Sequence, residues 1–318
     1  MIVTITMNPA IDKSTTVDQF IPEKKLRCTQ LIVEAGGGGI NVSKAIKKLG
    51  GDSLAIFPNG GINGTILENS LQAQDIRFKT IPVEYETREN MVVTETSTNF
   101  QFRFVLPGAE LNEEVGQSVL DTLTSLPVTP TIIVASGSLP PGIPEDFFAQ
   151  VAKLAQQLKA KCIVDTSGLP LQLAADQGVF LLKPNLTELS KMAGKEKLEL
   201  NRVDDAAMEI IQKGKCKIII VSMGPSGALF VTENGYEHIP APTVKKQTTV
   251  GAGDSMVAGI CWMLSQGKTW REMVRFGVAC GTAATMNTGT QLFNVEDAYR
   301  LYDWINKYGD RYILNFDN

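Results

Sequence analysis

Thr249-Val250-Gly251-Ala252-Gly253-Asp254-Ser255 puts two glycines and a lone carboxylate where a helix begins. The helix is read from the apolar spacing of Met256, Val257, Ile260, Cys261, Met263 and Leu264, and Gly267 marks its end. First-turn amides have no intrahelical partner and carry the positive end of the helix dipole, so Gly251 and Gly253 would let an anion reach bare N–H groups. This is the pattern of a phosphate cradle. A carboxylate beside a phosphate is repelled as a ligand but can take a proton from an attacking hydroxyl, which makes Asp254 a candidate general base for phosphoryl transfer. A plain N-cap behind a glycine turn is the competing reading.

Outward from this segment, short apolar runs alternate with helical patterns. Ile2 to Thr6, Thr131 to Ala135, Cys162 to Asp165, Phe180 to Leu182 and Ile218 to Ser222 read as strands. Asn41 to Leu49, Glu145 to Leu158, Asp204 to Lys213, Trp270 to Asn287 and Val295 to Lys307 read as helices. The alternation predicts an α/β fold, a doubly wound, mostly parallel sheet flanked by helices, in one domain covering 1–318. Ligands in such sheets gather at the carboxyl ends of the strands. Asn8-Pro9, Ser136-Gly137-Ser138, Asp165-Thr166, Lys183-Pro184-Asn185 and Ser222-Met223-Gly224 fall there.

Two segments break the rhythm. Residues 14–35 and 88–106 look like strands without helices between them, and Phe100, Phe102 and Phe104 alternate with Gln101, Arg103 and Val105. They predict a small antiparallel β-sheet inserted as a lid over the main sheet, as a pairing surface for a second subunit, or as both; an ordinary edge hairpin is the alternative.

Composition excludes other classes. The chain has 318 residues, 43% hydrophobic and 20% charged, with net charge −4 and no basic cluster, which argues against nucleic acid as a partner. No run is long enough to span a membrane, and Met1 to Asp12 lacks the regions of a secretion signal; a cytoplasmic protein without a membrane partner is expected. Five cysteines form no C-x-x-C pair, and the single histidine, His238, leaves no Ser-His-Asp or histidine-zinc chemistry. A Rossmann fingerprint fails because Asn41 stands where its last glycine would be, and a Walker loop fails at Trp262. The run Gly36-Gly37-Gly38-Gly39-Ile40-Asn41 is then either a flexible connection or a close-approach site for a ligand, with Asn41 free to bind a hydroxyl or cap the helix.

Asp12, the Gly36 to Asn41 run, Lys183-Pro184-Asn185 with Glu188, Ser222 to Gly227 and Thr249 to Ser255 occur in an order that resembles the ribokinase-like sugar kinases. The resemblance spans nearly the whole chain and is greatest to the branch of bacterial 6-phosphofructokinases, through Lys25 to Cys28, Ala35 to Asn41, Ser136 to Gly142 and Met273 to Val278. It implies that Asp254 takes the proton of a sugar hydroxyl attacking the γ-phosphate of ATP, while Gly251, Ala252 and Gly253 donate backbone hydrogen bonds to the moving phosphoryl group. An Asp with an ordinary pKa of ~4 would suffice if the proton leaves late. By the same resemblance, Asp12, Gly38, Gly39, Asn41 and Ser138 hold the sugar, and Arg88 and Arg103 its phosphate, though either arginine could be solvated strand-face charge.

Lys183, Asn185, Ser222, Gly224, Gly227 and Asn287 are implied on the nucleotide side, and Glu188 is implied to position Mg²⁺ through water, with a favourable helix start as its bland alternative. Carbonyls of Val250, Ala284 and Gly289, with Asn287 and Thr248, are implied to hold potassium; many relatives carry Asp at the place of Thr248. Lys25 matches a lysine of a dimer lid and regulatory ATP site, and reads equally as a surface lysine. Gly38 stands where fructose-1-phosphate and tagatose-6-phosphate kinases carry lysine, which favours fructose 6-phosphate; those two kinases are the near alternatives. A catalytically silent sugar-phosphate-binding regulator is the alternative from another class. The implied assembly is a homodimer through the lid sheets.

Overall fold

The computed structural model describes residues 1–287, 289 and 291–311. The apolar runs form the middle of a nine-stranded sheet: β1 (Ile2–Ile5), β8 (Ile132–Ser136), β9 (Lys161–Asp165), β10 (Val179–Leu182) and β11 (Cys216–Ser222). With β4 (Ser53–Asn59), β5 (Arg77–Pro82), β12 (Ala228–Thr232) and β13 (Gly235–Ile239) the order is β13-β12-β11-β10-β9-β8-β1-β4-β5. All pairings from β5 to β11 are parallel, and β12 and β13 turn antiparallel.

Successive strand residues serve opposite helical layers. Ile133 and Ala135 pack with α3 (Glu113–Thr124), α4 (Phe147–Gln157), α5 (Gly168–Gln177), α6 (Leu186–Met192) and α7 (Val203–Gln212). Ile132 and Val134 pack with α1 (Gly38–Lys48), α8 (Ala252–Ser265), α9 (Trp270–Ala284) and α10 (Val295–Tyr308). Both faces are covered, and for that reason the strands read as continuous apolar runs. A smaller cluster of Ile11, Ala35, Ile40, Phe57, Leu67 and Leu71 joins α2 (Gly61–Ala73) to the base of the lid.

Two helices differ from their apolar patterns for local reasons. α1 starts at Gly38 with Gly37 as its N-cap, because Thr6 Oγ1 accepts the Ile40 N–H at 2.9 Å, so Asn41 lies inside the helix and does not cap it. α9 stops at Ala284, where the Thr285 carbonyl instead accepts the N–H of Gln247 at 2.8 Å.

The second sheet has four strands in the order β3-β2-β6-β7, from β2 (Ala10–Val17), β3 (Ile32–Gly36), β6 (Arg88–Glu95) and β7 (Gln101–Val105). It is mixed, where an antiparallel sheet was expected: β2 and β6 pair in parallel, from Ala10 beside Arg88 to Val17 beside Glu95. The chain enters them from β1 and β5, which run in the same direction and leave the main sheet at the same edge, and this fixes the parallel pairing.

Candidate active site

The chain goes from β1 outward to β4 and β5, then returns to lay β8 on the other flank of β1. Such a switch point opens a crevice at the carboxyl ends of the strands. The N-terminus of α1 fills its floor. A Cβ on Gly38 would lie 2.4 Å from Ser136 Oγ and 2.7 Å from the Gly137 nitrogen, and one on Gly39 would lie 2.7 Å from the Ile5 carbonyl oxygen. Only glycines allow this approach, so the run is packed and not a flexible connection.

The Gly251 to Asp254 loop faces it. Gly251 caps α8 in the left-handed conformation at φ 73°, and no side chain caps the helix, so the N-cap reading of Asp254 fails. Asp254 lies in the first turn and accepts a hydrogen bond at Oδ2 from Asn41 Nδ2, at 2.9 Å. Burial raises its pKa from 3.8 to about 7, Asp165 adds to the rise, and Asn41 and Lys183 oppose it. The carboxyl is thereby poised near neutrality, above the ordinary value that would suffice for a late proton transfer.

Among the residues implied to hold a sugar, Asp12 does not pair with Asn41. Its Oδ1 accepts Asn90 Nδ2 at 2.8 Å across the β2–β6 register, and burial pushes its pKa up. The amide oxygens of Asn41 and Asn90 are buried without a hydrogen-bond partner among the described residues. Arg88 is half-buried and donates to the carbonyls of Leu106 at 2.9 Å and Asn8 at 3.1 Å, tying the lid base to the main sheet. Arg103 instead reaches Thr249 Oγ1 at 2.8 Å, immediately before the glycine loop. Ser138 is exposed at the end of β8, where its hydroxyl accepts Asn8 Nδ2 at 3.2 Å.

Lys183 is buried and forms a 3.0 Å ion pair with Asp165, and its Nζ lies 3.4 Å from where a Gly253 Cβ would be. Burial would lower its pKa, but the Asp165 charge, with Glu188 and Asp254, holds it raised. Glu188 and Asn185 form a reciprocal capping box at the start of α6, with bonds of 2.8 and 2.9 Å, so the bland reading of this pair is realised in the structure. Burial nevertheless raises the Glu188 pKa, and Asp165 adds to it. Ser222 bridges to Asn185, and Gly224 and Gly227, both at positive φ, turn the chain from β11 into β12 beside them.

Around the residues implied to hold potassium, Thr248 Oγ1 donates to Gln101 Oε1 at 3.2 Å and accepts the Val250 N–H at 3.1 Å. Asn287 is occupied by the Leu292 carbonyl at 2.6 Å, and Gly289 lies so close to Ser14 that a Cβ on it would be 3.0 Å from the serine Oγ. Ala284 ends α9 in the same region. Lys25 is exposed on the connection between β2 and β3, and among the described residues no hydrogen bond or ion pair ties it to the crevice. The sequence placed Asp165 at the ligand end of its strand but gave it no role; Asn90, Gln101 and Lys44 carried no signal.

A crevice with a glycine-lined helix N-terminus, a near-neutral carboxylate and a lysine–aspartate pair defines a phosphoryl-transfer class of site. The chain belongs to the pfkB family of carbohydrate kinases, whose model matches residues 1–298. It is 42% identical over 307 residues to the ATP-dependent 6-phosphofructokinase isozyme 2 of Escherichia coli (strain K12), covering 96% of this chain and 99% of that one. It is 39% identical over 302 residues to the same isozyme of Mycobacterium tuberculosis (strain CDC 1551 / Oshkosh), covering 95% and 89%. The crystal structure of the Escherichia coli enzyme in complex with potassium superposes with a TM-score of 0.91 over 96% of this chain and 99% of that chain, at 42% identity.

Proposed function

We propose that this chain transfers the γ-phosphoryl group of ATP to the 1-hydroxyl of fructose 6-phosphate, giving fructose 1,6-bisphosphate and ADP. The observation that carries the reading is the Asn41–Asp254 hydrogen bond, which brings the sugar-side glycine run and the phosphate-side loop to one carboxylate. Asp254 takes the hydroxyl proton as the oxygen attacks, and a pKa of about 7 makes it a better base than an exposed aspartate. The amides of Gly251, Ala252 and Gly253 take up the charge on the transferring group, and Lys183 sits beside them. Asp12, Gly38, Gly39, Asn41 and Ser138 hold the sugar, and Arg88 and Arg103 its 6-phosphate, exchanging their present oxygen partners for the anion. Asn185, Ser222, Gly224, Gly227 and Asn287 lie along the nucleotide.

The donor set suits Mg²⁺. Glu188 lies beside Asp165, whose other neighbour is the Lys183 ammonium at 3.0 Å, and one or two carboxylates with retained water are what Mg²⁺ takes. Bound there by Glu188 and Asp165, it would neutralise charge on the phosphates. Thr248, the carbonyls of Val250, Ala284 and Gly289, and Asn287 would hold potassium, all with neutral donors. The kinase would work in the cytoplasm as a homodimer joined by its lid sheets, with Lys25 belonging to the dimer and its regulatory nucleotide. Gly38 favours fructose 6-phosphate, since the kinases of the other two ketose phosphates carry lysine at that place.

A coupled assay with fructose 6-phosphate, fructose 1-phosphate and tagatose 6-phosphate tests the reading. The highest kcat/KM is expected for fructose 6-phosphate, with activity falling about tenfold per pH unit below about 7 as Asp254 protonates. A higher kcat/KM on either other sugar overturns the substrate assignment.

A further inference from the structure

Lys44 lies one turn beyond Asn41 on α1 and is only 4% exposed. Its Nζ donates to the carbonyl oxygen of Ala35 at 2.7 Å, the residue before the glycine run at the end of the lid strand β3. An ammonium is costly to bury unless it is paired and hydrogen-bonded. The charged groups that act on Lys44 are Glu34 of β3, Asp12 of β2, Asp254 of α8 and Lys48 of its own helix.

The carbonyl that Lys44 grips belongs to a short chain of contacts ending at Asp12. Ala35 leads into Gly36, and a Cβ on Gly36 would lie 2.1 Å from Asp12 Oδ2, so backbone and carboxylate are in close contact. Asp12 is itself buried; Lys44 and Arg88 oppose the effect of that burial on its charge, and Glu34 adds to it. Asn90 fixes the other carboxylate oxygen from the neighbouring strand.

We infer that Lys44 is a positioning residue for sugar recognition: it holds the Ala35–Gly36 backbone against Asp12 and, with Arg88, supplies positive charge that balances this carboxylate. It acts through Asp12 and does not contact the sugar. The inference rests on the reading of Asp12 as a sugar ligand.

The test compares Lys44→Met, Lys44→Gln and Lys44→Arg with wild type by calorimetric binding and steady-state kinetics, using fructose 6-phosphate, or whichever ketose phosphate the wild type turns over fastest. Wild-type behaviour therefore judges the proposed function before any variant is considered. Lys44→Met is expected to weaken sugar-phosphate binding tenfold or more, to change ATP affinity less than threefold, and to raise sugar KM more than it lowers kcat. Its sugar affinity should also fall away at a higher pH than that of wild type. Lys44→Arg should restore affinity to within threefold, and in an Asp12→Asn background Lys44→Met should have no further effect on sugar binding. Lys44→Gln, which keeps a donor but no charge, carries the same test if circular dichroism shows that the methionine variant does not fold. Unchanged sugar affinity, equal weakening of sugar and ATP, or an additive double mutant overturns the inference.

Discussion

At the scale of the residue, Asp254 has a folded-state pKa of about 7 against 3.8 for an ordinary aspartate, with burial the larger cause and Asp165 the second. The folded chain therefore holds this proton more tightly than the unfolded chain. The stability penalty is absent below pH 3.8, grows as pH rises toward 7, and is complete above it. Its size is on the order of a few kcal/mol. Asp254→Asn is thus expected to melt several degrees above wild type at pH 8, with the gain vanishing near pH 4, while kcat falls by about a thousandfold or more. Calorimetric melts at both pH values and a kcat measurement check this; an unchanged or lower Tm at pH 8 would contradict the charge argument. Asp254 was legible in the sequence because a glycine pair at a helix start is a local signal. Asn90 was not, since its partner Asp12 lies 78 residues away and meets it only through strand register. Lys44 was hidden by a different rule: a lysine on an amphipathic helix is ordinarily solvated, and here the lid strand covers it.

Among the elements, α8 packs closely on α9 beside the Gly251 to Asp254 segment. Gly259 would place a Cβ 2.8 Å from Cys280 Sγ, Gly277 one 2.7 Å from Ile260 Cγ1, and Gly281 one 3.0 Å from the Ala252 carbonyl oxygen. These absent side chains let the helices close, and Ala252 is part of the loop. Gly277→Val should push the helices apart, costing about 1–3 kcal/mol and lowering kcat at saturating substrate. Chemical denaturation with steady-state kinetics measures both; full stability and full kcat would show that the helices do not set the loop. The strands of the main sheet were legible because apolar neighbours on both faces leave continuous runs. The direction of β2 against β6 was not, because it follows from where β1 and β5 end in space and not from the composition of the lid strands.

For the molecule as a whole, the lid leaves an apolar face open, with Phe100 65% exposed, Phe102 38% and Phe104 50%. Exposed strand faces of this kind are usually covered, and a second copy of the lid would cover this one. Phe100→Glu with Phe104→Glu should convert a dimer into a monomer in sedimentation velocity and raise the KM for sugar; a wild type that sediments as a monomer at micromolar concentration would remove the dimer from the proposal. The chain passes between sheet and lid at four places, after β1, after β3, after β5 and after β7. The lid is held a second time from β7, where Arg103 reaches Thr249 and Gln101 bonds to Gln247 and Thr248. A displacement of its outer surface therefore has two covalent and polar routes inward, through β3 to Gly36 and α1 and through β7 to the start of α8.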